Sequence, residues 1–243
     1  MEIASININA WGPCKLKWAE QGGYSELAAT TVLCIQEHKL VSQDERNDAQ
    51  EWLQKQGWNA ILHPARTLES GQPSGGVGLL VRQRPDVGVV DMQVNYDGQE
   101  HRLLAAKISA PNVPEMLIVS IYLQAGVGLN VYNRSLLATA AQWQEEHRLP
   151  LMIVGEFNSP PQRLADSVFA TRRRLHPVAP SKPTYRTSVT QSVLDYAMAS
   201  PALAEQIAEV KVLHDFPLRP HSPVLLQRRL GILDKVPILR LPP

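Results

Sequence analysis

Cysteines, long apolar runs and net charge are all scarce in this 243-residue chain, and each scarcity excludes a class of protein. Two cysteines, Cys14 and Cys34, are too few for a disulfide scaffold, and no Cys/His spacing is typical of zinc. We expect both to be half-buried free thiols in a reducing compartment. No apolar run approaches the roughly 18 residues of a membrane span, and the amino terminus lacks the features of a secretory signal. The sequence therefore predicts an intracellular protein that is not secreted and has no membrane partner.

Charge is almost balanced, with 24 Lys and Arg against 23 Asp and Glu and a net charge of +1. This balance excludes a globally basic nucleic-acid binder, so a polyanionic partner needs a local basic patch or a metal ion. A hydrophobic content of 44% is enough for one large core. The 19 prolines exceed the usual share of about 5%, which predicts short elements separated by many turns.

Short apolar and β-branched runs predict strands between helices, a pattern typical of an α/β sandwich with a partly antiparallel sheet. The predicted strands are Ile3–Ile8, Val32–Gln36, Ala60–His63, Gly76–Arg82, Val87–Val94, Arg102–Ser109, Met116–Tyr122, Leu151–Val154 and Leu194–Ala199. The predicted helices are Tyr24–Thr31, Asp44–Gln56, Val131–His147 and Pro201–Val210. No linker divides the chain early, so we expect one domain over residues 1–230 and a tail over 231–243.

Polar side chains stand at the ends of several predicted strands, where rigid folds often carry functional sites. Asn7 and Asn9 are two residues apart in one strand and would share a face. They are either buried amides with partners or solvated groups on an edge strand. Glu37 directly follows the run Val32–Gln36, from where a carboxylate can hold a hard cation, although an ordinary loop acid is the common alternative.

A second group of polar residues follows the later strands. Glu156 and Asn158 are again two residues apart and would place a general base beside a hydrogen-bond donor, unless the asparagine only serves a turn. Asp195 interrupts an apolar strand and needs a partner. His221 is the natural one, because a carboxylate bonded to one ring nitrogen fixes the tautomer and favours the imidazolium. Tyr122 ends another strand and joins this set.

In chain order these segments resemble the endonuclease/exonuclease/phosphatase superfamily, most closely the apurinic-type endonuclease domains of non-LTR retrotransposons. The resemblance extends over residues 1–229 and is carried by ININAWG, IQEHKL, SGGVGLLVR, SIYLQAG, GEFNSPP, PTYRTSVTQSVLDYAMAS and PHSPV. It implies a DNase I-like, four-layer α/β sandwich in which two packed mixed β-sheets are flanked by helices. It also implies phosphodiester hydrolysis that depends on Mg²⁺ (or Mn²⁺), DNA as partner, and a monomer that acts in the nucleus.

The resemblance also implies a role for each matching residue. Glu37 would ligate the metal, and Tyr122 would contact the phosphate. Asn7 and Asn158 would orient the phosphate and the other active-site groups.

The remaining roles concern the attacking water and the developing charge. Glu156 would position or deprotonate the water, and His221, paired with Asp195, would stabilise the phosphorane or help the leaving oxygen. Glu156 replaces the shorter Asp of the family, and a displacement of about 1 Å can cost about 100-fold in rate. Pro220 replaces an Asp that ligates the metal, which would leave the ion with many water ligands. Asp215 is close enough in sequence to be a substitute, although it is the weaker candidate.

The basic residues predicted to bind nucleic acid are Lys39, Arg172, Arg173, Arg174 and Arg219, although such residues are commonly just solvated. Two other functions stay open. The first is a catalytically degenerate relative that binds nucleic acid or protein without cleaving, suggested by Glu156 and Pro220. The second is a phosphatase acting on small molecules or lipids, against which the ININ opening and the short loops argue.

Overall fold

The computed structural model describes residues 1–21, 24–92, 94, 96, 98–110 and 113–229. The predicted tail, residues 231–243, lies outside this range. The helices are α1 (Trp11–Glu20), α2 (Gln43–Lys55), α3 (Val131–His147), α4 (Pro161–Ala165), α5 (Val168–Arg173) and α6 (Pro201–Ala204), with a 3₁₀ turn at Ser25–Leu27. The strands are β1 (Glu2–Asn7), β2 (Thr30–Gln36), β3 (Trp58–Leu62), β4 (Arg66–Thr67), β5 (Pro73–Ser74), β6 (Val77–Arg82), β7 (Gly88–Asp91), β8 (Leu103–Ala110), β9 (Val113–Tyr122), β10 (Leu151–Glu156), β11 (His176–Val178), β12 (Tyr185–Arg186), β13 (Gln191–Ser192), β14 (Asp195–Ala199), β15 (Ile207–Val212) and β16 (Val224–Arg228).

Two six-stranded mixed sheets form the centre of the protein. The first, sheet A, has the order β15-β16-β1-β2-β6-β3, and the second, sheet B, has the order β11-β14-β10-β9-β8-β7. Each contains one parallel pair, β1–β2 in sheet A and β9–β10 in sheet B, and the other neighbours are antiparallel. Two short ribbons, β4–β5 and β12–β13, extend from the loops.

Alternation along the strands separates an inner core from two outer ones. In β2, Val32 and Cys34 face the inner core between the sheets, whereas Leu33 and Ile35 face outward. In β8, Leu104 and the alternate residues after it face the same inner core. A strand that is buried on both faces in this way reads as a continuous apolar run, which is why the sequence revealed these strands.

Helices cover both outer faces. Trp11 and Trp18 of α1 and Leu53 of α2 pack on sheet A, and α3, α4 and α5 pack on sheet B. Helix α2 begins where a reciprocal capping box forms, in which Ser42 accepts from the Glu45 amide and Glu45 accepts from the Ser42 amide. The layers confirm the predicted four-layer α/β sandwich.

Each predicted strand corresponds to an observed one, but some predicted boundaries and helices were wrong. The helix predicted over Pro201–Val210 ends at Ala204, and Ile207–Val212 instead forms the edge strand β15 against β16. The helix predicted at Tyr24–Thr31 is only the Ser25–Leu27 turn. Helix α1 was not predicted: its buried Trp11, Cys14 and Trp18 do follow a helical spacing, but no side chain caps its start and its first turn has no acidic residue.

The directions of the strands bring the polar residues at their ends to one edge of the sandwich. The parallel pairs β1–β2 and β9–β10 both finish there, and β14 starts there because Asp195 lies opposite Glu156. None of the described helices is long and apolar enough to cross a bilayer.

Candidate active site

Asn7 and Glu156 join the two sheets at this edge. Asn7 ends β1 and Glu156 ends β10, and Asn7 Nδ2 donates a hydrogen bond of 2.5 Å to Glu156 Oε2. Asn7 Oδ1 accepts from the Asn9 backbone N–H at 2.8 Å. Asn9 has left the strand with a φ of 57°, so the expectation that both asparagines share one strand face was wrong. Asn7 is 4% exposed and is a buried amide whose two ends both have partners.

Glu156 is a buried carboxylate in an environment that opposes its charge. Burial, followed by the negative charge of Asp195, raises the pKa of Glu156 to about 7, although the His221 charge and the Asn7 hydrogen bond act in the opposite direction. A carboxylate with this pKa can both accept and release a proton near neutral pH.

His221 and Asp195 form the ion pair predicted from the sequence. His221 Nδ1 lies 3.0 Å from Asp195 Oδ2 and 3.2 Å from Oδ1, and Asp195 is completely buried. Burial lowers the pKa of His221, but the charge and hydrogen bond of Asp195 and the charges of Glu156 and Glu37 together raise it to about 9. The imidazolium is therefore the main form at neutral pH, and its Nε2 lies 3.9 Å from Glu156 Oε2.

Two residues that sequence reasoning did not assign to the site hold this pair in place. Thr184 Oγ1 donates to Asp195 Oδ2 at 2.7 Å and accepts from the backbone amides of Leu194 and Asp195, both at 3.0 Å. The Tyr185 ring packs edge-on against His221, with centroids 5.0 Å apart. Both lie in the segment PTYRTSVTQSVLDYAMAS, whose resemblance pointed to this region without separating their roles.

Tyr122, at the end of β9, and Glu37, directly after β2, contact each other at the same edge of the sandwich. The Tyr122 hydroxyl donates to Glu37 Oε1, while Lys39 Nζ lies 3.4 Å from Glu37 Oε2 and donates to Asn9 Oδ1 at 3.0 Å. Burial and the charge of Glu37 raise the pKa of Tyr122 above its usual range, so the hydroxyl remains a neutral donor. Arg102 covers the tyrosine ring, with its guanidinium carbon 4.3 Å from the centroid.

Buried polar groups beneath the site connect the sheets. Gln36 Nε2 donates to Ser120 Oγ at 3.2 Å, and Gln36 Oε1 accepts from Ser5 Oγ at 3.3 Å. Because these three side chains are 0–1% exposed, the hydrogen bonds are needed to offset their desolvation. They connect the two sheets directly beneath the candidate site.

Asn158 lies next to the site but does not pair with Glu156 as expected. It turns out of the strand with a φ of 48°, and its Nδ2 donates to the Leu123 carbonyl at 2.8 Å. The Leu123 amide in turn donates to the Glu156 carbonyl oxygen at 2.9 Å. Asn158 thus braces the exit of β10 next to β9.

The donor set fits a divalent cation. Glu156, Asp195 and His221 offer ligand atoms within 4.8 Å of one another, but Asp195 and His221 Nδ1 already bind each other. The carboxylates of Glu37 and Glu156, which also contact Tyr122, Lys39 and Asn7, remain as candidate hard oxygen ligands. Three carboxylates face one imidazolium and the ammonium of Lys39, so a cation would offset an excess of negative charge. Pro220 adds no side-chain ligand, as expected, and Asp215 is exposed on a turn.

The predicted basic residues are not all at the site. Lys39 is, whereas the Arg219 guanidinium donates to the carbonyls of His214, Phe216 and Leu218 at 2.7, 2.6 and 3.1 Å and so braces its own loop.

The Arg172–Arg174 run is at the other end of sheet B. It precedes β11, whose first residue, His176, lies opposite Ala199, whereas the site is at Asp195. Arg173 also pairs with Glu145 near the end of α3. The structure does not bring this run to the candidate site.

Comparison with known proteins agrees with the family that the sequence motifs resemble. A model of the Endonuclease/Exonuclease/phosphatase family matches residues 17–215. No significant match to a curated protein is found. The protein is similar in structure to an AP endonuclease from Archaeoglobus fulgidus, with a TM-score of 0.64, 15% identity, and coverage of 95% of this chain and 100% of that one.

Two further solved structures are similar over almost the whole chain. An AP endonuclease from Leishmania major gives a TM-score of 0.72 at 16% identity and covers 94% of this chain and 87% of its own. The endonuclease domain of TRAS1, a telomere-specific non-LTR retrotransposon, gives 0.63 at 14% identity and covers 95% and 99%. At these identities the similarity concerns the fold, and it confirms the DNase I-like architecture.

Proposed function

The chain belongs to the endonuclease/exonuclease/phosphatase family, and from this premise we propose that it is a divalent-metal-dependent endonuclease that nicks DNA for a non-LTR retrotransposon. The observation that carries the proposal is the contact of the Glu156 carboxylate with the His221 imidazolium, 3.9 Å apart at one edge of the sandwich. A base and an acid this close lie on the same flank of a bound phosphodiester, from which the base can reach the attacking water and the acid the leaving oxygen. The proposed enzyme acts as a monomer and in the nucleus.

In the proposed reaction a water attacks phosphorus and gives its proton to the Glu156 carboxylate, which Asn7 orients through its 2.5 Å hydrogen bond. A new phosphorus–oxygen bond forms as the bond to the leaving oxygen breaks. His221 Nε2–H donates its proton to the leaving oxygen, while Asp195 holds the ring through Nδ1. The neutral Tyr122 hydroxyl is available as a donor to a phosphate oxygen.

The proposed metal ligand is Glu37. It would hold Mg²⁺ or Mn²⁺ mostly together with water ligands, and the bound ion would supply positive charge next to the phosphate. This arrangement predicts weak metal affinity, because both oxygens of Glu37 already contact other side chains.

The same contacts favour a second candidate function. With the Tyr122 hydroxyl on one oxygen of Glu37 and the Lys39 ammonium 3.4 Å from the other, the carboxylate is partly satisfied without an ion. A degenerate relative that binds nucleic acid or protein without cleaving would retain such a pair.

A nicking assay on supercoiled plasmid separates the two. We expect relaxation in Mg²⁺ or Mn²⁺, none in EDTA, and loss of nicking in His221→Ala. Arg172→Ala, at the far end of sheet B, is the matched control and should nick normally. Folded wild-type protein that binds duplex DNA without metal-dependent nicking would contradict the enzyme and support the degenerate relative.

Glu156→Asp extends the test. Faster nicking by this variant would show that the wild type is an active enzyme whose nicking rate is lowered by the longer Glu156 side chain. Unchanged DNA binding without nicking would support the degenerate relative. Release of phosphate from an inositol phosphate, with no action on plasmid, would instead identify a small-molecule phosphatase.

A further inference from the structure

Glu37 reaches the candidate site through a backbone conformation that is unfavourable for its residue type. Strand β2 ends at Gln36, and the chain then turns with a φ of 55° at Glu37 and 62° at Lys39. Residues with a side chain rarely adopt this left-handed region, and such strain is concentrated at functional sites. The burial of β2 fixes where Glu37 leaves the sheet but not these two angles, so other contacts must hold them.

His38, between these two residues, points into the protein. It is 1% exposed, whereas the side chains of Glu37 and Lys39 are 18% and 30% exposed and reach the site. His38 Nδ1 accepts a hydrogen bond of 3.1 Å from the Leu40 backbone N–H. A backbone N–H can only donate, so the proton of the neutral ring is on Nε2. The His38 side chain therefore closes a local turn over the two residues that follow it, as an asparagine does in an Asx turn.

Two glycines make room for the His38 ring. A Cβ added to Gly76 would lie 2.6 Å from Cε1 and 2.7 Å from Nδ1 of His38, so a side chain at position 76 would displace the ring. The Gly76 carbonyl accepts from the His38 N–H at 3.3 Å, and the Gly75 carbonyl accepts from the Lys39 N–H at 3.1 Å. The Gly76 N–H donates to the His101 carbonyl at 2.9 Å. These contacts connect the residues around Glu37 to β6 of sheet A and to the loop before β8 of sheet B.

Stability alone does not account for a histidine at this position. Nε2 of His38 is buried and has no hydrogen-bond partner within the described ranges. A buried donor without a partner is unfavourable, and a side chain that only filled the space would not carry one. Two strained backbone angles and an unpaired donor thus lie next to the proposed metal ligand. Local departures of this kind are expected where a fold serves a function.

We propose that His38 is a positioning residue for the Glu37 carboxylate. Its ring, packed on Gly76 and bonded to the Leu40 amide, holds the left-handed backbone from which Glu37 reaches the metal ion. The inference rests on the proposed function, in which Glu37 ligates that ion. Because Pro220 supplies no side-chain ligand, the site depends strongly on the placement of Glu37. Residues that orient metal ligands contribute about 10- to 100-fold to metal affinity.

Mn²⁺ affinity and amide hydrogen exchange test this role without measuring cleavage. The electron paramagnetic resonance signal of free Mn²⁺ gives the affinity, and NMR in EDTA gives the exchange rates of the amides of residues 38 and 39. His38→Leu removes the acceptor and should weaken Mn²⁺ binding and speed both exchange rates, each about 10-fold. His38→Asn should stay within about 3-fold of wild type, because its Oδ1 is as many bonds from Cα as Nδ1 of histidine and can accept from the same N–H.

Two more variants complete the test. His38→Ala, which also lacks the acceptor, should give the same losses as His38→Leu and replaces it if that variant does not fold. Ser200→Ala is the matched control, because Ser200 Oγ also accepts from a backbone N–H, that of Leu151 at 2.8 Å, but at the far end of sheet B. It should change neither the Mn²⁺ affinity nor the two exchange rates.

The outcomes separate this inference from the proposed function. Unchanged Mn²⁺ affinity or unchanged exchange rates in the variants without the acceptor, or an equal loss in His38→Asn, would overturn the positioning role of His38. The expected order of Mn²⁺ affinities in a protein that does not nick plasmid would overturn only the proposed function. A folded wild type that binds no Mn²⁺ would overturn both.

Discussion

The His221–Asp195 pair makes the stability of the protein depend on pH in a defined direction. The ordinary pKa of a histidine is 6.5, and in the folded protein that of His221 is raised to about 9. Because the folded pKa exceeds the unfolded one, the added stability is fully present below pH 6.5 and is lost as pH rises through about 9. A difference of about 2.5 pKa units corresponds to about 3 kcal/mol. The His221 side chain is 7% exposed, so solvent screening reduces this figure little.

Urea unfolding of wild type and His221→Gln in EDTA, followed by tryptophan fluorescence between pH 5.5 and 10, measures the effect. The unfolding free energy of wild type minus that of the variant should fall by about 3 kcal/mol between pH 6 and pH 10. His176→Gln, at an exposed histidine, should show a flat difference. In a Glu156→Gln background the fall should be smaller with the same sign, because one of the charges that raises the His221 pKa is gone. Parallel curves for wild type and His221→Gln would refute the ion pair.

Three further predictions concern the base, the strand that carries it and the metal ligand. Glu156→Gln should lower cleavage by about 100-fold or more, and wild-type activity should rise as pH passes about 7, because the base must be ionised. Gly155→Ala should lower the unfolding free energy by about 2 kcal/mol or more, since Gly155 has a φ of 153° and a Cβ there would overlap the Ile121 carbonyl oxygen. Lys39→Met should tighten Mn²⁺ binding about 5-fold by calorimetry, as it removes a positive charge 3.4 Å from the Glu37 carboxylate.

Controls for these predictions come from the same chain. Gly12→Ala, where a Cβ meets nothing within 4 Å, should leave stability nearly unchanged. Activity of Glu156→Gln equal to that of wild type at every pH would contradict its role as base. A Mn²⁺ affinity that falls in Lys39→Met would mean that the lysine supports the metal site.

The sequence was sufficient to predict that these polar groups lie at strand ends, because each ends or begins a buried strand. A run such as Val32–Gln36 has no freedom of register once both its faces are buried, so Glu37, at its exit, is fixed with it. The same holds for Glu156 after Leu151–Val154 and for Asp195 before its own apolar run. Apolar periodicity placed these residues at strand ends, and the family resemblance supplied the roles expected of them.

Local signals failed where tertiary pairing decided the structure. Ser200 and Pro201 do start a helix, as predicted, but Ile207–Val212 alternates and pairs with β16, and this pairing outweighs the helical pattern. Thr184 was not assigned a role, because a threonine in a loop looks the same whether or not a buried carboxylate lies beside it. Two of its three hydrogen bonds are with Asp195, which is 11 residues away in sequence.

The distribution of positive charge around the site depends on loops, which sequence patterns do not place. Arg172–Arg174 looks like a basic patch in the sequence, yet β11 carries it to the end of sheet B opposite the site. Arg66 stands alone in the sequence, yet the connection from β3 to β6 brings it to a cavity beside Tyr122. A net charge of +1 is thus compatible with a polyanionic partner, because what matters is which strand ends the arginines reach.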